Sequence, residues 1–340
     1  MHITFVDKKS NINSNTLNLK AIDSIQKNLI FFAQELVKRN HKISIINQST
    51  ESRLEKGINW LNINNIKNFS TDVLVIIQDL DGLKIKFSTK KKILWIVGKY
   101  SIFFHKALLT TLLKEKYKII YDNYFLIDAL PHNFRLVPKF FLGNAVDDSF
   151  YRINPGNTFR NNALVTTHPL RGLDWLLEVW SKFIHNKLPW AELHIYSELL
   201  SRPGTSKNIK INNLKLRLYS FKNNGIVVKK PMSLNLFQKE LSQYRVHLNP
   251  AIDNDVPMLS LLESQAAGIP VVSRVNNIVY NLINDNETGY ITNDINKFTL
   301  KTVTLLSDKK KFSDISRNSK NNNNIKLWKE ICDYFESNIL

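Results

Sequence analysis

Residues 245–290 read RVHLNPAIDNDVPMLSLLESQAAGIPVVSRVNNIVYNLINDNETGY, and the order of elements in this stretch decides the fold. It reads as a buried strand over 245–250, a polar loop over 252–255, a short helix over 257–267, a Gly268-Ile269-Pro270 break and a second buried strand over 271–273, which together make one βαβ unit. Asp255 can cap the helix, and Pro257 falls in its first turn, where a missing N–H matters little. The free N–H groups from about Val256 to Ser260, those of Met258 and Leu259 among them, form a partly positive mouth suited to an anion such as a diphosphate. Asp253 and Asp255 beside that mouth would repel phosphate unless they address something else, such as sugar hydroxyls. Glu263 lies up to ~12 Å further along the helix axis. A nucleotide sugar carries hydroxyls at both ends with the diphosphate between them. An ordinary α/β unit with a capping Asp and an exposed Glu would show the same letters.

The full pattern resembles a known family. An acid, seven residues and a Glu, then a small-residue run, Gly-x-Pro-Val-Val and a later Thr-Gly segment, is similar to the donor-site signature of the retaining family 4 (group 1) glycosyltransferases of the GT-B fold. The matching residues are Asp255, Glu263, Gln265-Ala266-Ala267-Gly268, Pro270-Val271-Val272 and Asn286-Glu287-Thr288-Gly289. The resemblance implies that Glu263 binds ribose hydroxyls, and that Asp255 with the adjoining amides of Met258, Leu259 and Ser260 holds the transferred sugar. Asp255 stands where the family usually has Glu, so its reach is one methylene shorter.

The chain has 340 residues, enough for two domains that each bury a core. Its single cysteine, Cys332, rules out an intrachain disulfide and suits a reducing compartment. The opening MHITFVDKKS reads as a strand followed by charge rather than a signal peptide, and the longest apolar runs are strand-length. The expected location is the cytoplasm, with the inner membrane face as a further candidate. A formal charge of +18 would attract a nucleotide, an anionic membrane surface or another polyanion. The Asn-, Lys- and Ile-heavy composition also fits a codon bias that raises Lys without function, and no nucleic-acid-binding motif accompanies the charge. The Asn-rich runs 11–18, 59–68 and 321–324 read as loops.

From the N-terminus, a strand over 2–6, a helix over 21–38 with Ile25, Leu29, Phe32, Ala33 and Leu36 on one face, and a strand over 42–47 form a β-helix-β opening. It resembles the family's first unit, with Asn40 in place of the Gly that ends the helix, and with no Gly in residues 7–17. Residues 73–78 and 92–97 read as buried parallel strands, and 102–114 as a helix carrying His105. The His that relatives place soon after the second of these strands is absent here. Residues 140–151, FFLGNAVDDSFY, resemble the family's entry to its second domain, and Asn154-Pro155-Gly156 suits a hinge.

In the second half, a strand over 163–167, the loop His168-Pro169-Leu170-Arg171-Gly172 and a helix to about residue 185 resemble the Arg-Gly-Leu-Asp subgroup of the family. The resemblance gives Arg171 a role on the donor diphosphate, to which Arg geometry and a following Gly are suited. The companion Arg expected five residues earlier is Thr166, so His168 becomes a candidate to assist. Strands over 192–196 and 225–230 follow, and Lys230 or Lys229 at the end of the latter is a candidate phosphate contact. A final helix over 325–335, bearing Leu327, Trp328, Ile331 and Tyr334, is expected to pack on the first domain.

The implied architecture is α/β of the GT-B type, with two Rossmann-like domains facing across a cleft. It divides into an acceptor domain over 1–152, a donor domain over 153–324 and the returning helix over 325–340. The implied reaction is metal-independent transfer of a hexose-like sugar, with retention, from a nucleotide-sugar substrate to an acceptor hydroxyl, serving polysaccharide or glycoconjugate synthesis. Asp255 and Arg171 would act at the reacting centre, with Glu263, Leu259, Ser260, Met258, Lys230 and His168 around the donor. No cofactor or metal is called for. The acceptor is open among a glycan, a lipid-linked glycan and a protein, and a degenerate member of the fold kept for binding is the alternative.

Overall fold

The computed structural model describes residues 1–49, 52–66, 69–79, 82–84, 87–97, 106–122, 130–155, 161–252 and 259–340. The chain divides into two compact units, one of Met1–Ala145 with Lys326–Leu340, the other of Val146–Asn254 with Met258–Ile325.

The first unit is built on β1 (His2–Val6), β2 (Lys42–Asn47), β3 (Arg53–Glu55), β4 (Ile58–Asn62), β5 (Ser70–Ile77), β6 (Ser88–Ile96), β7 (Tyr117–Tyr121) and β8 (Lys139–Phe141). Their order across the sheet is β3-β4-β2-β1-β5-β6-β7-β8. All pairs are parallel except β3 with β4. Runs such as Val73–Ile77 and Ile93–Ile96 are apolar without alternation because both faces of a parallel sheet are covered. β4 corrects the loop reading of the run 59–68 at its first four residues, 59–62. Ile58 and Trp60 are fully buried, and the Trp60 indole donates to Ser14 Oγ at 3.1 Å, so burial of the apolar positions overrides the turn preference of the asparagines between them.

The helix Ser24–Lys38 starts where the Asp23 side chain accepts from Gln26 N, and ends at Asn40, which takes a left-handed φ of 63°. Its Phe32 packs edge-on against Trp95 and against Phe335 of the last helix, Trp328–Asn338. That helix buries Trp328, Ile331, Cys332 and Phe335, at spacings of three, one and three. Tyr334, expected on the packed face, is exposed instead, because Phe335 completes the i, i+3, i+4, i+7 stripe. Arg39 reaches Glu336 at 2.6 Å and Asp333 at 2.7 Å, and His41 Nε2 meets Glu336 at 2.7 Å.

After the two-residue β9 (Ala145–Val146), the second unit holds β10 (Asn162–Val165), β11 (Leu193–Tyr196), β12 (Ile226–Lys229), β13 (Tyr244–Asn249), β14 (Val271–Ser273) and β15 (Gly289–Ile291). The order is β12-β11-β10-β13-β14-β15, all parallel. Ala163, Val165, Val246 and Leu248 face a core that includes Leu176 and Trp180. Leu164 and Tyr244 face the opposite core, with Leu262 and Ala266 of the helix Leu259–Ala266. The chain leaves β10 for one side of the sheet and later returns to the other side through β13. The order therefore reverses between these two strands, and a crevice opens at their carboxyl ends.

Candidate functional site

The loops after β10 and β13 meet at this reversal. Gly172 has φ of 83°, and a Cβ placed on it would lie 2.2 Å from the Pro250 carbonyl oxygen. Only glycine supplies both the left-handed backbone and the missing side chain there. Gly172 also precedes the helix Leu173–Val179, which has Asp174 in its first turn, where an acid is favourable. Arg171, just before it, is half-buried, and its backbone N–H bonds the His168 carbonyl at 2.9 Å. His168 is exposed, and its Nδ1 accepts from Leu170 N at 3.3 Å. Desolvation of the ring's protein-facing side, then the charge of Arg171, lower its pKa, so it is neutral at neutral pH.

A chain of hydroxyls and one imidazole joins the end of β10 to the helix Leu259–Ala266. Thr166 Oγ1 donates to Ser260 Oγ at 2.8 Å, lies 3.0 Å from His247 Nε2, and the Nδ1 of His247 lies 2.8 Å from Ser264 Oγ. Because Thr166 spends its proton on Ser260, its lone pair takes the His247 Nε2 proton, and Ser264 donates to Nδ1. His247 is fully buried, and desolvation drives its pKa down to about 3. The ring is neutral and has one tautomer. A second link runs beside the first: Thr167 Oγ1 donates to Asn249 Oδ1 at 3.0 Å and Asn249 Nδ2 to Ser273 Oγ at 2.9 Å. Thr166, Thr167, His247 and Asn249 thus tie the crevice floor across β10, β13 and β14 without a charged group.

Glu263 lies on the same helix as Ser260 and Ser264 and is 2% exposed, unlike the exposed Glu of an ordinary surface helix. Leu259 is buried and Ser260 half-buried at the start of that helix. Asp253, Asp255 and Met258, and His105 of the first unit, lie outside the described residues. Lys230 follows β12 and is exposed, whereas the Lys229 amine pairs with Glu240 at 2.7 Å. Among the described residues, no three His, Cys, Asp or Glu side chains gather as a metal site.

A cavity of about 400 Å³ opens on the loop that carries Arg171, lined among others by Pro169, Leu170, Gly172, Lys210, Asn213 and Arg217. The sequence reading brought Arg171 and Gly172 into one loop and Ser260 and Glu263 onto one helix. It missed His247, Asn249, Thr167 and Ser264. The signal was present in β13, YRVHLN, where polar residues at 247 and 249 alternate with Val246 and Leu248 inside a buried strand.

A sequence model of the family described as Glycosyl transferases group 1 matches residues 163–308, within the second unit. No curated protein matches the chain by sequence. Among solved structures, the sucrose-phosphate synthase of Thermosynechococcus elongatus superposes with a TM-score of 0.71 at 11% identity, covering 99% of this chain and 97% of that one. A glycosyltransferase from Rickettsia africae gives 0.70 at 13% identity, over 98% and 97% of the two chains. Anabaena HepE in complex with UDP-glucose gives 0.69 at 12%, over 99% and 100%. The chain has the GT-B fold that these proteins share.

Proposed function

We propose that the protein is a group 1 glycosyltransferase that moves a sugar from a nucleotide-sugar donor to an acceptor hydroxyl with retention at the anomeric carbon. The observation that carries this reading is the crevice between β10 and β13. There Gly172, next to Arg171 in the chain, packs closely on the Pro250 carbonyl, and the buried Glu263 shares a helix with Ser260, which accepts from Thr166. The family match over residues 163–308 and the UDP-glucose complex of a structural neighbour support a nucleotide-sugar donor.

In this reading Glu263 accepts from the ribose hydroxyls, and Arg171 and the first amides of the helix at 259 stabilise the diphosphate as it departs. Asp255 and Met258 hold the sugar side, and His168 and Lys230 lie at the rim. The bond between the anomeric carbon and the diphosphate oxygen breaks, the acceptor oxygen bonds to that carbon on the same face, and the acceptor proton passes to the departing diphosphate. No metal or cofactor enters this scheme. Residues 1–152 would receive the acceptor, a glycan, a lipid-linked glycan or a protein, in the synthesis of a surface polysaccharide or glycoconjugate. Thr166, a neutral residue where the resemblance expects a cation, favours a second reading in which the fold binds a nucleotide sugar without turning it over.

The test is incubation with a panel of nucleotide sugars and simple acceptors, read by nucleotide release and by NMR of the anomeric proton. Release of one nucleoside diphosphate with an unchanged anomeric configuration supports the transferase. Inversion would contradict the retaining mechanism, and binding without release would favour the second reading.

A further inference from the structure

The helix Ile209–Ser220 has two apolar faces. Ile211 and Leu214 are buried against the core of the second unit, with Leu218 packed at its edge. On the far side Ile209 is 72% exposed, Leu216 70% and Tyr219 72%. Spacings of seven and three put these three side chains on one stripe, with Asn212, Asn213 and Ser220 between them. A solvent-facing helix stripe normally carries charge, so three large apolar groups in line call for an occupant.

The surrounding charge says which occupant. From Arg202 to Lys230 the sequence contains eight Lys and Arg residues and no Asp or Glu. Arg202, Arg217 and Lys229 are engaged by Glu198, by Asp174 with Glu178, and by Glu240. Lys215 donates to the Arg202 and Gly204 carbonyls. Lys207, Lys210 and Lys222 remain exposed around the stripe, and the Lys222 amine sits 5.1 Å from the centre of the Tyr219 ring. A row of apolar side chains with a tyrosine, bordered by lysines on long flexible stems, matches the boundary between acyl chains and anionic headgroups. Nucleic acid would use the lysines and leave Ile209 and Leu216 in water.

We propose that the helix Ile209–Ser220 lies flat on an anionic lipid surface, with Ile209, Leu216 and Tyr219 in the acyl boundary and Lys207, Lys210 and Lys222 at the phosphates. The helix has 12 residues and none of the described helices is long and apolar enough to cross a bilayer, so the contact is in the plane of the membrane. Lys210 and Asn213 of this helix share a cavity with Leu170 and Gly172 of the crevice loop, which puts the lipid-facing surface next to the proposed donor site of the same unit.

The experiment is co-sedimentation of the full chain with phosphatidylcholine vesicles with and without phosphatidylglycerol, over a salt series. The wild type should partition onto the anionic vesicles and come off as salt rises. The double variant Ile209→Asn/Leu216→Asn should bind about tenfold more weakly, as loss of buried apolar area requires. Lys210→Gln/Lys222→Gln should reduce the salt dependence, and Leu54→Asn, an exposed leucine of the first unit, should change nothing. Circular dichroism with a thermal melt confirms that each variant is folded. The proposal is overturned if the wild type stays in the supernatant with anionic vesicles, or if Ile209→Asn/Leu216→Asn sediments like the wild type. Equal retention of wild type and that variant on heparin, without vesicle binding, would assign the patch to soluble polyanions instead.

Discussion

The His247 imidazole and the Thr166 hydroxyl are 3.0 Å apart, and through this contact a strand buried in the sheet holds the residue that follows β10. His247→Ala leaves Thr166 and Ser264 without their partner and opens a cavity, so it should destabilise the second unit by about 2–4 kcal/mol. His247→Gln, which can still donate to Thr166, should recover much of that stability in a denaturant titration. If both variants unfold at the wild-type midpoint, the linkage is not structural.

The same ring gives the protein an acid-sensitive limb. Its folded pKa, about 3, is below the ordinary value of 6.5, so the folded state holds the neutral ring. Between these values the unfolded chain binds a proton that the folded chain refuses. Stability from this group is therefore complete above pH 6.5 and is lost as pH falls toward 3. His194, whose pKa burial also lowers, adds in the same direction. Urea midpoints measured from pH 7.5 down to about 4 should fall less steeply in His247→Gln than in the wild type.

Gly172→Ala forces a Cβ to within 2.2 Å of the Pro250 oxygen and places alanine at a φ of 83°. The strain is of the order of 1–3 kcal/mol, and relief requires the loop that carries Arg171 to move. Nucleotide affinity should drop about tenfold or more while the melting temperature falls by only a few degrees. A variant that binds like the wild type would show that the contact does not set the position of Arg171.

In the first unit Phe335 packs on Phe32 with ring centres 5.0 Å apart and is fully buried. Phe335→Ala should cost about 3–5 kcal/mol, read as a lower denaturant midpoint for that unit. Glu336→Gln removes the charge that pairs with Arg39 and His41. Because these groups are partly solvated, its cost should stay near 1 kcal/mol.

Much of this was legible in the sequence, and the exceptions have physical causes. Apolar runs such as Val73–Ile77 and the βαβ order around Gly268 announce a parallel sheet because burial on both faces leaves no polar alternation. β4 was hidden because Asn59 and Asn62 imitate a turn, and only the packing of Trp60 against Ser14 reveals a strand. Arg171-Gly172 and Glu263 stood out because their spacing is local. The Thr166–His247 contact joins residues 81 apart in the chain, and no short-range pattern records a hydrogen bond between two strands that become neighbours only in the folded sheet. The exposure of Leu216 was equally invisible, since its letters suit either face of the helix.

The central claim is that the crevice at β10 and β13 holds a nucleotide through Arg171 and Glu263. Isothermal titration of the wild type, Arg171→Ala and Glu263→Ala with nucleoside diphosphates and their sugars tests it most directly. One nucleotide should bind, and each substitution should weaken it by at least about 1.4 kcal/mol, tenfold, with the fold retained. Absence of binding at millimolar ligand, or binding that neither substitution changes, would contradict the assignment of the site.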